Sequence, residues 1–298
     1  AAGPFAILDV VYTAEQLVLA ADPAVSFPLL TINWSVNNTI VDGDVELGEI
    51  ETSHYLRSER ALYIVGKEDV DTDEYDVGVI AHEWTHYFED QFSRSDSIGG
   101  AHGGGDILDP RIALGEGLAN ALSSIITGDP IYVDTDGIGQ NDLRVSNDME
   151  SDTVPDGDMY GGDTRLLDGA WSETSIQEVL YDIMDSADDD QDVVSLGFSG
   201  MYDVLTSDYK NTDAFTTVLT LGYYLKLQNN AQATEIDDIF NAENLSIGDE
   251  YDTLNNAEGF RMYTTVPGDG STVDEDMDGY PLATWDIYGS MDAVFGGN

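Results

Sequence analysis

Ten lysines and arginines face 59 aspartates and glutamates in this chain, a formal net charge of −49 at pH 7. So lopsided a ratio limits what the chain can fold into, because ion pairs cannot neutralise the carboxylates and they repel one another across any compact surface. Concentrated salt shortens that repulsion to a Debye length of about 3 Å at 1 M, and bound divalent cations cancel it locally. The expectation is a salt-adapted or cation-loaded protein at an extracytoplasmic or secreted, saline address. The same charge argues against nucleic acid and anionic membranes as partners, since phosphate contacts need clustered Lys and Arg and none occur.

With 298 residues the chain can bury a substantial core without staples, and it has none to use: there is no cysteine. A thiolate metal site is thereby excluded, so any metal must sit on His, Asp or Glu. No run of about 18 apolar residues stands out, so no membrane span is expected. The start carries no basic stretch and has Asp9 and Glu15 early, unlike a signal peptide, and reads as a chain that begins after processing.

Apolar spacing predicts a helix over residues 5 to 21, ended by Asp22-Pro23. Three β-rich runs, 29–34, 50–57 and 61–67, predict a small twisted sheet. A helix over 77–92 follows, with Asp76 as its N-cap, and a second over 110–127 is marked by Asp109 as N-cap, Pro110 at the first position and Gly128 past the end. From 129 to 171 the chain is rich in Asp, Gly and Ser with little periodicity, which predicts a long surface connection. Helices are predicted at 173–186, 197–207, 213–228 and 233–242, then an irregular end from Asp249. The expected organisation is an upper lobe over 1–130, an acidic connection over 131–171 and a mostly helical lower lobe over 172–298.

The chemistry concentrates in His82-Glu83-Trp84-Thr85-His86. Residues four apart on a helix lie nearly one above the other, so both imidazoles can reach one zinc ion. Glu83 projects beside them, within reach of a water on that ion without being a ligand, as a general base requires. Ile80, Trp84, Tyr87 and Phe88 form an apolar stripe on the opposite face. Zinc in a hydrolytic site takes three protein ligands, and the continuation HExxHxxGxxH fails because Glu89 and Phe92 stand where Gly and His are required. The best third ligand is Glu116, midway along the second capped helix, among Gly115, Gly117, Ala119 and Ala121, whose small side chains would let the two helices approach. Glu89 and Asp90 are the alternatives. Asn120, one turn beyond Glu116, can accept a hydrogen bond from a ligating imidazole and fix its tautomer.

His82-Glu83-x-x-His86 followed by Gly115-Glu116-Gly-Leu-Ala-Asn120 resembles the gluzincins, the thermolysin-like zinc metallopeptidases. Two departures accompany the match: the interval between the motifs is longer than in the thermolysin type, and Asn120 replaces the usual Asp. The resemblance implies an α+β, two-lobed fold, with a small twisted sheet over the zinc helix, a mostly helical second lobe and a cleft between them. It also implies a polar contribution to the oxyanion from a lower-lobe helix, whose counterpart here follows Trp171-Ser-Glu173-Thr. No His occurs there, which leaves Trp171, Glu173 and Tyr181 as substrate-binding candidates.

Between the two motifs runs a Gly-rich loop containing His102, a candidate for stabilising an oxyanion. Arg94 and Arg111 are candidates for binding a substrate carboxylate in a chain where Arg is scarce. Asp274-Glu-Asp276-Met-Asp278-Gly279 matches the first half of a calcium loop of EF-hand form but lacks the twelfth-position Glu; Asp134-Thr-Asp136-Gly137 and Asp188-Asp-Asp190 are looser versions. Asn33-Trp-Ser35 and Asn37-Asn-Thr39 fit glycosylation acceptors. The function expected from these residues is hydrolysis of a peptide or protein substrate with Zn2+ as cofactor and Ca2+ as a second metal. Two readings compete: a calcium-loaded binding or adhesion module with a vestigial zinc site, and a zinc hydrolase of non-peptide amides or esters.

Overall fold

The computed structural model describes residues 2–100, 102, 106–150, 168–186 and 193–251. The Asp188–Asp190 and Asp274–Asp278 motifs lie outside them. The described chain is α+β. It opens with α1 (Gly3–Ala21), then β1 (Thr31–Trp34), β2 (His54–Leu56) and β3 (Ala61–Ile64), followed by α2 (Val77–Phe92) and α3 (Pro110–Thr127). A hairpin of β4 (Ile131–Asp136) and β5 (Asp142–Asp148) comes next, and then α4 (Glu173–Met184), α5 (Gly197–Thr206), α6 (Val218–Gln228) and α7 (Ala233–Ala242).

The first sheet has the order β1-β3-β2, with β3 parallel to β1 and antiparallel to β2. The central strand β3 is the most buried, while β2 is an edge half open to solvent. All three strands are shorter than their apolar runs suggest. Ser53, just ahead of β2, uses its hydroxyl to accept from Val65 N at 2.9 Å, so side-chain bonding replaces ladder pairing there.

The two site-bearing helices have the predicted bounds. Asp109 caps α3 by accepting from Arg111 N at 3.0 Å, and Gly128 ends it in the left-handed region at φ 69°. Asp76 corrects the other capping expectation. It occupies the N-cap position of α2, but its carboxylate accepts instead from Thr135 N at 2.9 Å and from Thr135 Oγ1. Helix α6 starts at Val218 rather than 213, because Thr217 caps it and the preceding Thr216 is bonded to Asp96 through both N–H and hydroxyl.

The β4–β5 hairpin lies within the stretch expected to be a long surface connection and gives it regular structure. Its alternation is inverted: Ile131 and Val133 face solvent, while Tyr132 and Asp134 face inward. A strand whose inner face carries an aspartate does not register as apolar-in, polar-out.

On α2, Trp84, Phe88 and Phe92 stack one turn apart at 5.9 and 5.6 Å, and Phe88 meets Phe198 and Tyr202 of α5. This face lies opposite His82 and His86, so burying it points the imidazoles outward. The buried apolar residues from Ile7 to Leu245 form one continuous cluster. Helix α1 corrects the expectation of no spanning run: it is long and apolar enough to cross a membrane by length and composition, with a mean hydropathy of 1.4. In this fold its Ile7, Val10, Val11, Ala14 and Val18 belong to the shared core.

Candidate metal centre and cleft

Helices α2 and α3 place three donors together. His82 Nε2 lies 3.2 Å from Glu116 Oε2 and 3.2 Å from His86 Nε2, and His86 Nε2 lies 3.5 Å from the same carboxylate oxygen. Ligands on a tetrahedral zinc ion at about 2.05 Å stand roughly 3.3 Å apart, so the three separations are those of a metal shell. Of the other proposed third ligands, Asp90 is engaged elsewhere. Asp90 takes Arg57 Nε at 2.6 Å and the Tyr55 hydroxyl at 2.8 Å, and Glu89 is buried with an oxygen near Gly115.

The second ring nitrogen of His82 is also accounted for. Nδ1–H donates to Asn120 Oδ1 at 2.7 Å, and Asn120 Nδ2 donates to Gln177 Oε1 of α4 at 2.9 Å. The amide is thereby held with its oxygen toward the imidazole, which leaves Nε2 as the lone-pair nitrogen. Gln177 is a contributor that the sequence did not flag; it lies on α4, one turn beyond Glu173. The small residues of α3 divide their work. Gly115 faces Glu89 of α2, whereas a Cβ on Gly117 would stand 2.6 Å from Ile176, so Gly117 admits α4 rather than α2.

The electrostatics couple the two histidines to the carboxylate. Burial works to lower the His86 pKa, but the charge of Glu116 and its hydrogen bond, with Glu83 and Glu89, outweigh this and push it up to about 10. Burial likewise works to raise Glu116, yet His86 and the bonds from His102 and His82 hold it well below the usual carboxylate range. Burial lifts Glu89 to about 7 despite His86. A proton on imidazole here fills a position that suits a metal.

Glu83 is buried beside these ligands, and its Oε2 accepts from Tyr55 N on the edge strand β2 at 2.8 Å. Glu83 is thus anchored to the sheet, a contact that no short motif records. His102 approaches from the Gly-rich loop, its Nε2 3.2 Å from Glu116 Oε2 and 4.0 Å from Glu173 Oε2. Glu173, in the first turn of α4, therefore borders the site, and burial raises its pKa. A cleft of about 700 Å³ opens over the donors, lined by residues 50–55, Arg57, His82, Glu83, His86, His102 and Glu116.

Four other expectations are corrected or reassigned. Arg111 is buried in a forked ion pair with Asp109 and lies over the Phe215 ring, since Arg near a helix start here completes a cap. Arg94 pairs with Asp96 at 2.6 Å and donates to the Thr212 carbonyl. Neither lines the cleft; Arg57 and Arg144 do. Trp171 lies outside the cleft, its ring against Gly169 and its carbonyl accepting from Leu108 N at 2.9 Å. Tyr181 is in the core.

With this geometry in place, the chain was compared with protein-family models and with curated proteins. No family model and no curated protein matches it.

Proposed function

We propose that the protein is a zinc-dependent hydrolase, a peptidase of thermolysin-like organisation working in saline, extracytoplasmic surroundings. The observation that carries this reading is the convergence of His82 Nε2, His86 Nε2 and Glu116 Oε2 at 3.2–3.5 Å with the Glu83 carboxylate in the same cleft. When bound, zinc supplies Lewis-acid polarisation of a carbonyl and makes a nearby water more acidic.

The chain's own groups do the rest. Glu83, held by Tyr55 N, takes a proton from the attacking water and passes it to the leaving amine nitrogen. His102 offers an N–H toward the carbonyl oxygen as charge develops there. The edge strand β2 lines the cleft beside Glu83, and an extended substrate can pair with it as an added strand, which favours peptide over small esters. The mixed α+β arrangement, with a sheet beside the HExxH helix and helices after it, fits thermolysin-like organisation.

The test is zinc analysis of purified protein with casein and peptide-library hydrolysis at high salt, comparing wild type with Glu83→Ala. One zinc per chain and cleavage only by wild type support the reading. Equal cleavage by both proteins refutes Glu83 as base, and ester hydrolysis without peptide cleavage moves the substrate class. Retained zinc with no hydrolysis by wild type favours the binding module.

A further inference from the structure

A second group of potential donors lies apart from the three zinc ligands. Asp71 and Asp73 come from the segment ahead of α2, Asp76 from its N-cap position, and Asp134 from β4; one oxygen of each lies within 4.8 Å of the others. Asp71 and Asp73 are 0% and 2% exposed, and Asp134 is 8% exposed. Four carboxylates this close and this buried repel strongly.

Protein groups satisfy only part of this set, Asp76 accepting from Thr135 N and Oγ1 through its two oxygens. Asp71 Oδ2 receives Arg144 Nη1 at 3.3 Å, Asp134 Oδ2 lies 3.8 Å from Arg144 Nε, and Asp73 Oδ2 accepts from the Ser53 hydroxyl. The other oxygen of each, Asp71 Oδ1, Asp73 Oδ1 and Asp134 Oδ1, is buried without a partner. Buried acceptors are almost always paired, and three orphans on three clustered aspartates call for a shared ligand. A proton competes for the same place. Burial, then Asp71, pushes the Asp73 carboxyl up to about 9, and burial raises Asp134 to about 6.

We propose that Asp71, Asp73, Asp76 and Asp134 bind a calcium ion that ties the segment ahead of the HExxH helix to the β4–β5 hairpin. The donors are all hard oxygens, without nitrogen or sulfur, which selects a hard cation over zinc. A set of four protein carboxylates suits calcium, which accepts many oxygen ligands in flexible geometry, whereas magnesium demands near-ideal octahedral geometry and keeps several of its waters. Arg144 supplies a single positive charge against four carboxylates, and being partly exposed it can swing aside. Asp134 was noticed in the sequence as part of a loose calcium loop with Asp136; its partners instead come from more than fifty residues away, at Asp71–Asp76.

The test is calorimetric titration of the chelator-stripped, zinc-reloaded full chain with CaCl2, and melting curves in calcium and in magnesium. Wild type is compared with Asp71→Asn/Asp73→Asn and with Arg144→Gln. The double variant is expected to bind one calcium per chain fewer than wild type, which separates this site from any at Asp274–Asp278. At a hundredfold excess over Kd, calcium should raise the wild-type midpoint by about 5–10 °C, magnesium by less. Arg144→Gln removes the competing cation and should bind calcium about tenfold more tightly. Equal stoichiometry in wild type and double variant would overturn the proposal. So would a double variant that melts higher than a calcium-insensitive wild type, the behaviour of a proton-sharing pocket. If the double variant does not fold, unchanged calcium affinity in Arg144→Gln overturns it. None of these readouts depends on hydrolysis, so the site and the zinc reading fail separately.

Discussion

The two donor clusters differ in almost every respect that physical chemistry makes relevant. One is two imidazoles and a carboxylate on the facing sides of two regular helices, partly open to a cleft. The other is four carboxylates from a loop, a helix start and a strand, three of them buried. Nitrogen donors on rigid helices with solvent access suit a metal that must keep a corner for substrate. An all-oxygen set on irregular backbone, shut from solvent, suits a cation that holds segments together. On the two proposed assignments, donor type and the kind of backbone that presents the donors would separate a reactive from a structural cation in a strongly acidic chain.

The largest expected effect is on the helix-borne set. Glu116→Gln should abolish zinc retention and hydrolysis while leaving calcium stoichiometry unchanged, as checked by metal analysis of the dialysed protein; parallel loss of both metals would mean that the clusters are one unit. Next comes Glu83→Gln, with zinc retained and hydrolysis lowered about 10²–10⁴-fold, the usual worth of a general base. A fall confined to KM would instead place Glu83 in substrate binding. Asn120→Ala should weaken zinc about 10–100-fold in competition with a chromogenic chelator, since His82 Nδ1 loses its acceptor. Gln177→Ala, one bond further out, should do the same more weakly.

The helix-borne site was legible in the sequence because its information is local. A spacing of four, a capped second helix and an apolar stripe opposite the histidines put His82, His86, Glu116 and Asn120 in one place, and the structure brings the same four side chains together. Tyr55 N and Gln177 were out of reach because they come from a neighbouring strand and helix, and only the packing brings them in. The arginine expectations failed for a related reason: scarcity suggested function, but Arg111 beside Asp109 is the cheapest way to complete a buried cap. The aspartate cluster was hidden most deeply. It depends on β4 carrying Asp134 inward, and an acidic stretch without apolar alternation gives no sign that it is a strand.

One residue joins the two clusters and gives the sharpest, though smallest, test of their separation. Tyr132 precedes Asp134 by two on β4, so both side chains point inward from the same face of the strand. Its ring lies 6.2 Å from the His82 ring, and a Cβ on Gly78 would stand 3.1 Å from it. A cation holding Asp134 to Asp71–Asp76 therefore also holds this ring against the first turns of α2. Linkage then requires each metal to favour the other, and because contact is through one ring rather than a shared ligand, the coupling should be near the lower end of the usual range, about 5-fold in zinc affinity. Zinc affinity measured with and without calcium checks this in wild type. In Tyr132→Ala both metals should still bind, but calcium should no longer alter zinc affinity. If the 5-fold effect survives in that variant, coupling runs through the backbone from Asp76 into α2 instead, since Asp76 occupies the helix's own N-cap position.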